Sequence, residues 1–406
     1  VILEVGYKMT RSDIIINLQG YSFPVTKLNA LLLTLFERYA QLLRDRFSKD
    51  FQKAFRETQH QPMEVVDADE LQKVLNVCWL KPGDAERLKS LPFPLALPFS
   101  QTYPLCCIDI RNLTDQYYQF SDGFSQSHRD VDDILKKSLD ELLIQQVSNS
   151  IRSSLQRTSN LSQIAQIVVN AEHFRLACTQ LETLLAALRA PHRGGKLRLD
   201  ASSHFNTTLD MAQQRIDSAI AAKMLEFFGM AEYSWVPTQQ RTEPQEWIPE
   251  MLQWLSTMME SVLVALPRDI KMEHYKTAFQ YVADTLLNDE LLNKDDPQAS
   301  LLGLVNAQID VDYLIKQSDA MQEGMSDVFQ ELKQTMSIPI EGKVSEYAMN
   351  TTTRLQKYKD VKPVKMAALL EKLGKYEGRP GSGERGEREA AKRKNEREAV
   401  LRLVRR

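Results

Sequence analysis

Apolar residues recur along almost the whole chain at spacings of three and four, the period that covers one face of an α-helix. After a short lead-in, Pro24 opens a stretch to about Thr58. Its stripe is Leu28, Leu31, Leu32, Leu35, Tyr39, Leu42, Leu43, Phe47, Phe51 and Phe55. At 1.5 Å per residue such a helix spans about 50 Å, a length that suits an elongated rod. The pattern predicts further helices near 68–79, 107–120, 129–156 and 160–189. The last puts Leu161, Ile164, Ile167, Val168, Ala171, Phe174, Cys178, Leu181 and Leu185 on one face. Pro191, Gly194 and Gly195 then break the period. It resumes near 206–228, 249–265, 272–288, 297–336, 344–358 and 364–375. No alternating β-branched run competes with this pattern, and no longer-period repeat is found. The expected fold is all-α, an elongated rod of two stacked antiparallel helical bundles. One bundle is expected over 1–190 and the other over 196–376, with a flexible joint and a basic tail helix over 377–406.

One apolar stretch does not follow the helical period. Between Leu91 and Pro104 stand Pro92, Pro94, Pro98 and Pro104, interleaved with Phe93, Leu95, Leu97, Phe99 and Tyr103. Proline fixes φ and removes a backbone donor, so helix is not expected to cross 91–104. The residues predict an extended apolar connector lying against helices, with a new helix starting near Cys107.

Composition changes this picture little. Hydrophobic residues make up 43 % and charged residues 26 %, ordinary for a soluble globular protein. Only 15 glycines in 406 residues favour helix. The net charge of −3 argues against a nucleic-acid partner. Charge is unevenly spread, however, because Glu384–Arg406 holds nine basic and five acidic residues while the rest is acidic on balance. That tail reads as a solvated terminal helix or, alternatively, as a contact for anionic membrane or an acidic partner. Cys78, Cys106, Cys107 and Cys178 have neither metal-ligand nor redox spacing, so buried, reduced thiols of a cytosolic protein are expected. No signal peptide and no apolar run of membrane-spanning length is present. The chain begins at Val1, which predicts a fragment of a longer protein.

Catalytic patterns are missing from the sequence. Gly381, Gly383 and Gly386 form a GxGxxG string, but it follows no strand and lies in a charged joint. Asp132-Asp133 is followed by Lys136-Lys137, and Asp295-Asp296 by Pro297, so neither pair gains a third carboxylate for magnesium. The six histidines lack an HExxH partner, and His173 reads as a surface or satisfied histidine. Trp247 and Trp254, seven apart, have the spacing of a core face. Neither an enzyme nor a cofactor nor a small-molecule substrate is expected.

Several strings do carry specificity. LQGYSFPVTKLNALLL (18–33), FPLALPFSQTYPLCCIDIRNL (93–113), VDDILKKSLDELL (131–143), LSQIAQIVVNAEHFRLACTQLE (161–182), FFGMAEYSW (227–235) and PVKMAALLEKL (363–373) occur in order. Together they resemble the C-terminal half of the exocyst complex component six family, the Sec-fifteen subunit of a vesicle-tethering complex, in a fungal-type wording. The resemblance implies stacked helical bundles and a non-enzymatic effector of a GTP-loaded secretory Rab GTPase. It also implies other exocyst subunits as partners, a cytoplasmic location, and recruitment to secretory vesicles and sites of exocytosis at the plasma membrane.

In this family the Rab contact is placed on the C-terminal bundle, at a stretch reading Gln-aromatic-Asn-Leu-Asp. The matching positions are Gln308, Ile309, Asp310, Val311 and Asp312, with Asp310 where the family often has Asn. On a helix Asp310, Tyr313 and Leu314 appear together. The resemblance therefore implies GTPase contacts by Gln308, Asp310, Asp312, Tyr313 and Leu314. The competing reading makes Val305, Ile309 and Tyr313 simple core.

Overall fold

The computed structural model describes residues 26–58, 60–121, 128–188, 198–293, 297–379 and 383–404. These fall into two compact units whose division lies between Gln214 and Arg215, with Val264–Leu266 belonging to the first. The break expected at 191–195 lies outside the described residues. Helix dominates both units, and the fold is all-α, with one pair of two-residue strands among the described residues.

In the first unit, α1 (Thr26–Thr58) packs against α4 (Thr102–Ser121) and α5 (His128–Glu141). Phe47, Phe51 and Phe55 are buried and stack in series, with centroids 5.8 and 5.4 Å apart. Upstream the expected stripe is not covered: Leu31, Leu35 and Leu42 are exposed. A helix face is buried only as far as a neighbour extends along it, and sequence periodicity does not report that extent. α5 runs on through a π-helical segment, Leu142–Ser148, into α6 (Asn149–Arg157). α7 (Leu161–Leu188) buries the expected face from Ile164 to Leu185.

The proline-rich connector follows α2 (Ala68–Val77) and α3 (Asp84–Lys89). Its Leu95–Ala96 strand (β2) pairs antiparallel with Glu64–Val65 (β1). The pairing continues as Leu97 N donates to Met63 O at 2.7 Å and Met63 N to Phe99 O at 2.9 Å. Helix α4 begins at Thr102, not near Cys107. Pro104 falls in its first turn, where a missing N–H leaves no intrahelical bond unmade. All four cysteines are buried free thiols, and burial pushes those of Cys106 and Cys178 up.

The second unit takes the end of α8 (Ala201–Phe228), then α9 (Trp247–Thr257), α10 (Arg268–Asp284) and α11 (Leu301–Met321). Both α9 and α10 end in π-helical turns, Met258–Val262 and Thr285–Leu291. The single helix expected over 297–336 is interrupted after Met321, where Gly324 takes φ 86° and a 3₁₀ turn leads into α12 (Gln330–Ile340). The next expected helix breaks at Asn350. Its side chain caps α14 (Thr351–Lys357) by accepting from Thr353 N at 3.1 Å, so α13 (Val344–Met349) stands apart.

The charged tail forms α16 (Gly383–Val404), packed on α15 (Pro363–Glu377). A Cβ on Gly378 would lie 3.1 Å from Ala390 Cβ, so the helices approach closely there. Arg393 is buried against Glu396 at 2.9 Å and Glu377 at 3.4 Å, and Arg397 pairs with Glu371 at 2.8 Å. Part of the tail's basic charge therefore serves packing within the unit.

Candidate partner-binding site

The residues expected to meet a GTPase all lie on α11, and the helix presents them on different faces. Its N-cap Ser300 accepts from Gly303 N at 3.0 Å. From there Leu304, Ala307, Asp310, Val311, Leu314 and Ser318 turn inward at helical spacing. Val305, Gln308, Ile309 and Tyr313 are half-buried, and Asp312 and Lys316 are exposed. Asp312 pairs with Lys333 of α12 at 2.9 Å.

Asp310 is only 1 % exposed. Its carboxylate accepts both arms of the Arg241 guanidinium, at 3.1 and 2.6 Å, and Gln245 N at 3.0 Å. Leu314 is fully buried. The expectation that these two face a partner is thereby corrected: both work inside the fold, because three donors and the core surround them. Gln308, Asp312 and Tyr313 are the members of the set with surface to offer.

Arg241 belongs to an irregular segment, 229–246, that crosses α11. Further hydrogen bonds hold it. Trp235 O accepts from Ser300 N at 2.8 Å and Ser300 Oγ at 3.1 Å. Asn306 Nδ2 donates to Gln239 O at 3.0 Å, while Asn306 Oδ1 accepts from Arg241 N at 2.8 Å. A Cβ on Gly303 would sit 2.4 Å from Trp235 O, so the backbone approach requires glycine. Ser300, Gly303, Asn306 and Asp310 thus form a seam of small and polar residues along one face of α11. That seam was missed in the sequence, although its spacing of three, three and four amid aliphatics was the available signal. Tyr233 stacks on Trp235 at 5.5 Å, and burial, with the Asp310 charge beside it, pushes its phenol well up. A groove of about 390 Å³ opens between the segment and α11.

Trp247 and Trp254 pack against Phe228 and Phe227 at 4.9 and 6.2 Å. The His173 ring lies against Phe99 and Tyr103, and its Nδ1 donates to Val169 O at 2.8 Å. Lys136 bridges Asp140 and Asp200 at 2.7 and 2.9 Å. Among the described residues no three His, Cys, Asp or Glu side chains gather as a metal site requires, and no helix is long and apolar enough to cross a membrane.

The fold and site define an all-α protein of bundled helices with its candidate surface on one helix of the second unit. The family model described as exocyst complex subunit Sec15 C-terminal matches residues 27–372, and the chain belongs to that family. Human exocyst complex component 6 is 25 % identical over 365 residues, covering 88 % of this chain and 45 % of the relative. Exocyst complex component SEC15 of Saccharomyces cerevisiae is 26 % identical over 306 residues, covering 73 % of this chain and 33 % of the relative. The chain thus spans less than half the length of these relatives. A crystal structure of a Sec15 C-terminal domain aligns with 78 % of this chain and all of its own, at 17 % identity and a TM-score of 0.45.

Proposed function

We propose that the chain is the C-terminal part of a non-enzymatic exocyst subunit that binds a secretory Rab GTPase in its GTP-loaded form. In this reading it links secretory vesicles, through the other exocyst subunits, to the plasma-membrane site of exocytosis. It acts from the cytoplasm. The observation that carries the reading is the family match, which runs through both units over residues 27–372.

The GTPase contact is proposed on the outer strip of α11, centred on Gln308, Asp312 and Tyr313. A half-exposed tyrosine supplies area at low entropic cost, and an adjacent carboxylate selects a basic neighbour. Asp310 and Leu314 contribute by holding that helix in place. Pull-down of the purified chain with secretory Rab locked in either nucleotide state tests the reading. Retention by the GTP form alone is expected; equal retention by both forms, or by neither, overturns it.

A further inference from the structure

In the first unit, α1 and α6 border an open cavity of about 300 Å³. Gln52, Arg56, Gln145, Ser150, Ser153 and Arg157 line it, and no carboxylate does. The sequence explains why. From Leu142 to Ala171 there is no Asp or Glu, yet Arg152 and Arg157 fall in that stretch. On α1, Lys49, Gln52, Lys53 and Arg56 recur at spacings of three and four and so share the face that carries the cavity wall.

These cations are unspent. Lys49, Lys53, Arg56 and Arg157 are exposed, and none is ion-paired among the described residues. Arg157 uses only Nε, donating to Ser153 O at 3.0 Å, which leaves both terminal amino groups free. Gln52 Nε2 donates to Ser150 Oγ at 2.8 Å, so the Ser150 hydroxyl proton remains available for another acceptor. Donors outnumber acceptors at this wall, and two guanidinium groups at one cavity raise a positive potential that an anion relieves. Guanidinium forks match phosphate oxygens two at a time.

We infer that this cavity binds a polyphosphorylated anion, with Arg56 and Arg157 each holding a phosphate group and Ser150 donating a hydroxyl hydrogen bond. Its size lies at the small end of small-molecule sites, roughly 300–1,000 Å³. A soluble polyphosphate and a phosphorylated lipid headgroup present the same chemistry.

Calorimetric titration of the whole chain with inositol hexakisphosphate at physiological salt tests the inference, with inorganic phosphate for comparison. Saturable binding is expected, stronger than for inorganic phosphate. The double variant Arg56→Gln/Arg157→Gln should weaken it about tenfold or more, by losing charge-assisted bonds. Both side chains are exposed, so an unchanged thermal melt confirms that the variant is folded. The control Lys276→Gln/Lys394→Gln removes equal charge from the second unit and should leave affinity unchanged. Flotation with phosphatidylcholine vesicles, with and without phosphatidylinositol bisphosphate, separates the sources. Vesicle binding that the soluble anion competes away supports a lipid headgroup, and soluble binding alone supports a free anion. No saturable binding, or equal losses in the two double variants, overturns the site.

Discussion

Each unit contains a long irregular connector laid across helices, and the two are held by opposite physics. The proline-rich connector of the first unit is fastened by apolar burial. Leu97, Phe99 and Tyr103 are at most 1 % exposed, and Phe99 and Tyr103 pack with His173 and Phe174. Its polar groups are met by the β1–β2 backbone pairing and by two neutral amides: Asn170 Oδ1 accepts from Ser100 N at 2.9 Å, and Gln166 Nε2 donates to Pro98 O at 2.9 Å. The segment 229–246 of the second unit is fastened by a charge pair, Arg241 with Asp310, and by Asn306. Apolar contacts tolerate a change of shape that keeps volume, whereas a bidentate pair depends on the fork itself.

The largest effects should come from removing either fastening. Arg241→Met leaves the Asp310 carboxylate buried and unpaired, a loss of about 3–5 kcal/mol. Asp310→Asn should cost less, because Arg241 is 30 % exposed and can turn to water. Phe99→Ala should also cost about 3–5 kcal/mol, here by opening a cavity. Urea unfolding of each variant checks all three, and an Arg241→Met chain as stable as the parent would show that the charge pair does not fasten 229–246.

Conservative changes sharpen it. Phe99→Leu should cost under about 1.5 kcal/mol, since the volume is nearly kept. Arg241→Lys loses the fork and should cost about 1–3 kcal/mol, the scale of a charge-assisted hydrogen bond. Gly303→Ala, forced to move backbone only 2.4 Å away, should cost a similar amount by overpacking.

The difference between the connectors also explains what was legible in the sequence. The first announces itself: Pro92, Pro94 and Pro98 set among aromatic and aliphatic residues mark an extended path, buried at Leu95, Leu97 and Phe99, although Leu91 and Phe93 stay exposed and Pro104 falls in the first turn of α4. Most helices likewise follow from periodicity, apart from the unexpected α3, the start of α4 at Thr102 and the interruptions at Gly324 and Asn350. The second connector is silent because its fastening joins Arg241 to Asp310, 69 residues apart. Nothing local marks an arginine as the partner of a distant aspartate. For the same reason Asp310 passed for a surface carboxylate. Charged residues are rarely buried unless paired, and its pair is visible only in the fold. The residues proposed for GTPase contact all fall on α11, but sequence alone could not divide them between its inner and outer faces.

Acidity should affect the connectors least strongly, and unequally. Burial holds the His173 imidazole below its ordinary value of 6.5, and His60 in the same unit shifts the same way. Between the folded and unfolded values the unfolded chain binds more protons, so folding stability rises with pH there. The contribution is fully present above about 6.5 and fades as pH falls. Urea midpoints measured between pH 7.5 and 5.5 should decline, and His173→Gln should flatten that decline.

On the proposed function α11 works with two faces, an inner one that fastens 229–246 and an outer one offered to a partner. Calorimetric affinity for the GTP-loaded secretory Rab, read beside the thermal midpoint for Asp312→Lys and Asp310→Asn, tests it most directly. Asp312→Lys should weaken binding by about 1–3 kcal/mol with the midpoint nearly unchanged. Asp310→Asn should do the reverse, lowering the midpoint with affinity kept. Loss of affinity on Asp310→Asn at an unchanged midpoint, with Asp312→Lys binding as the parent does, would contradict it.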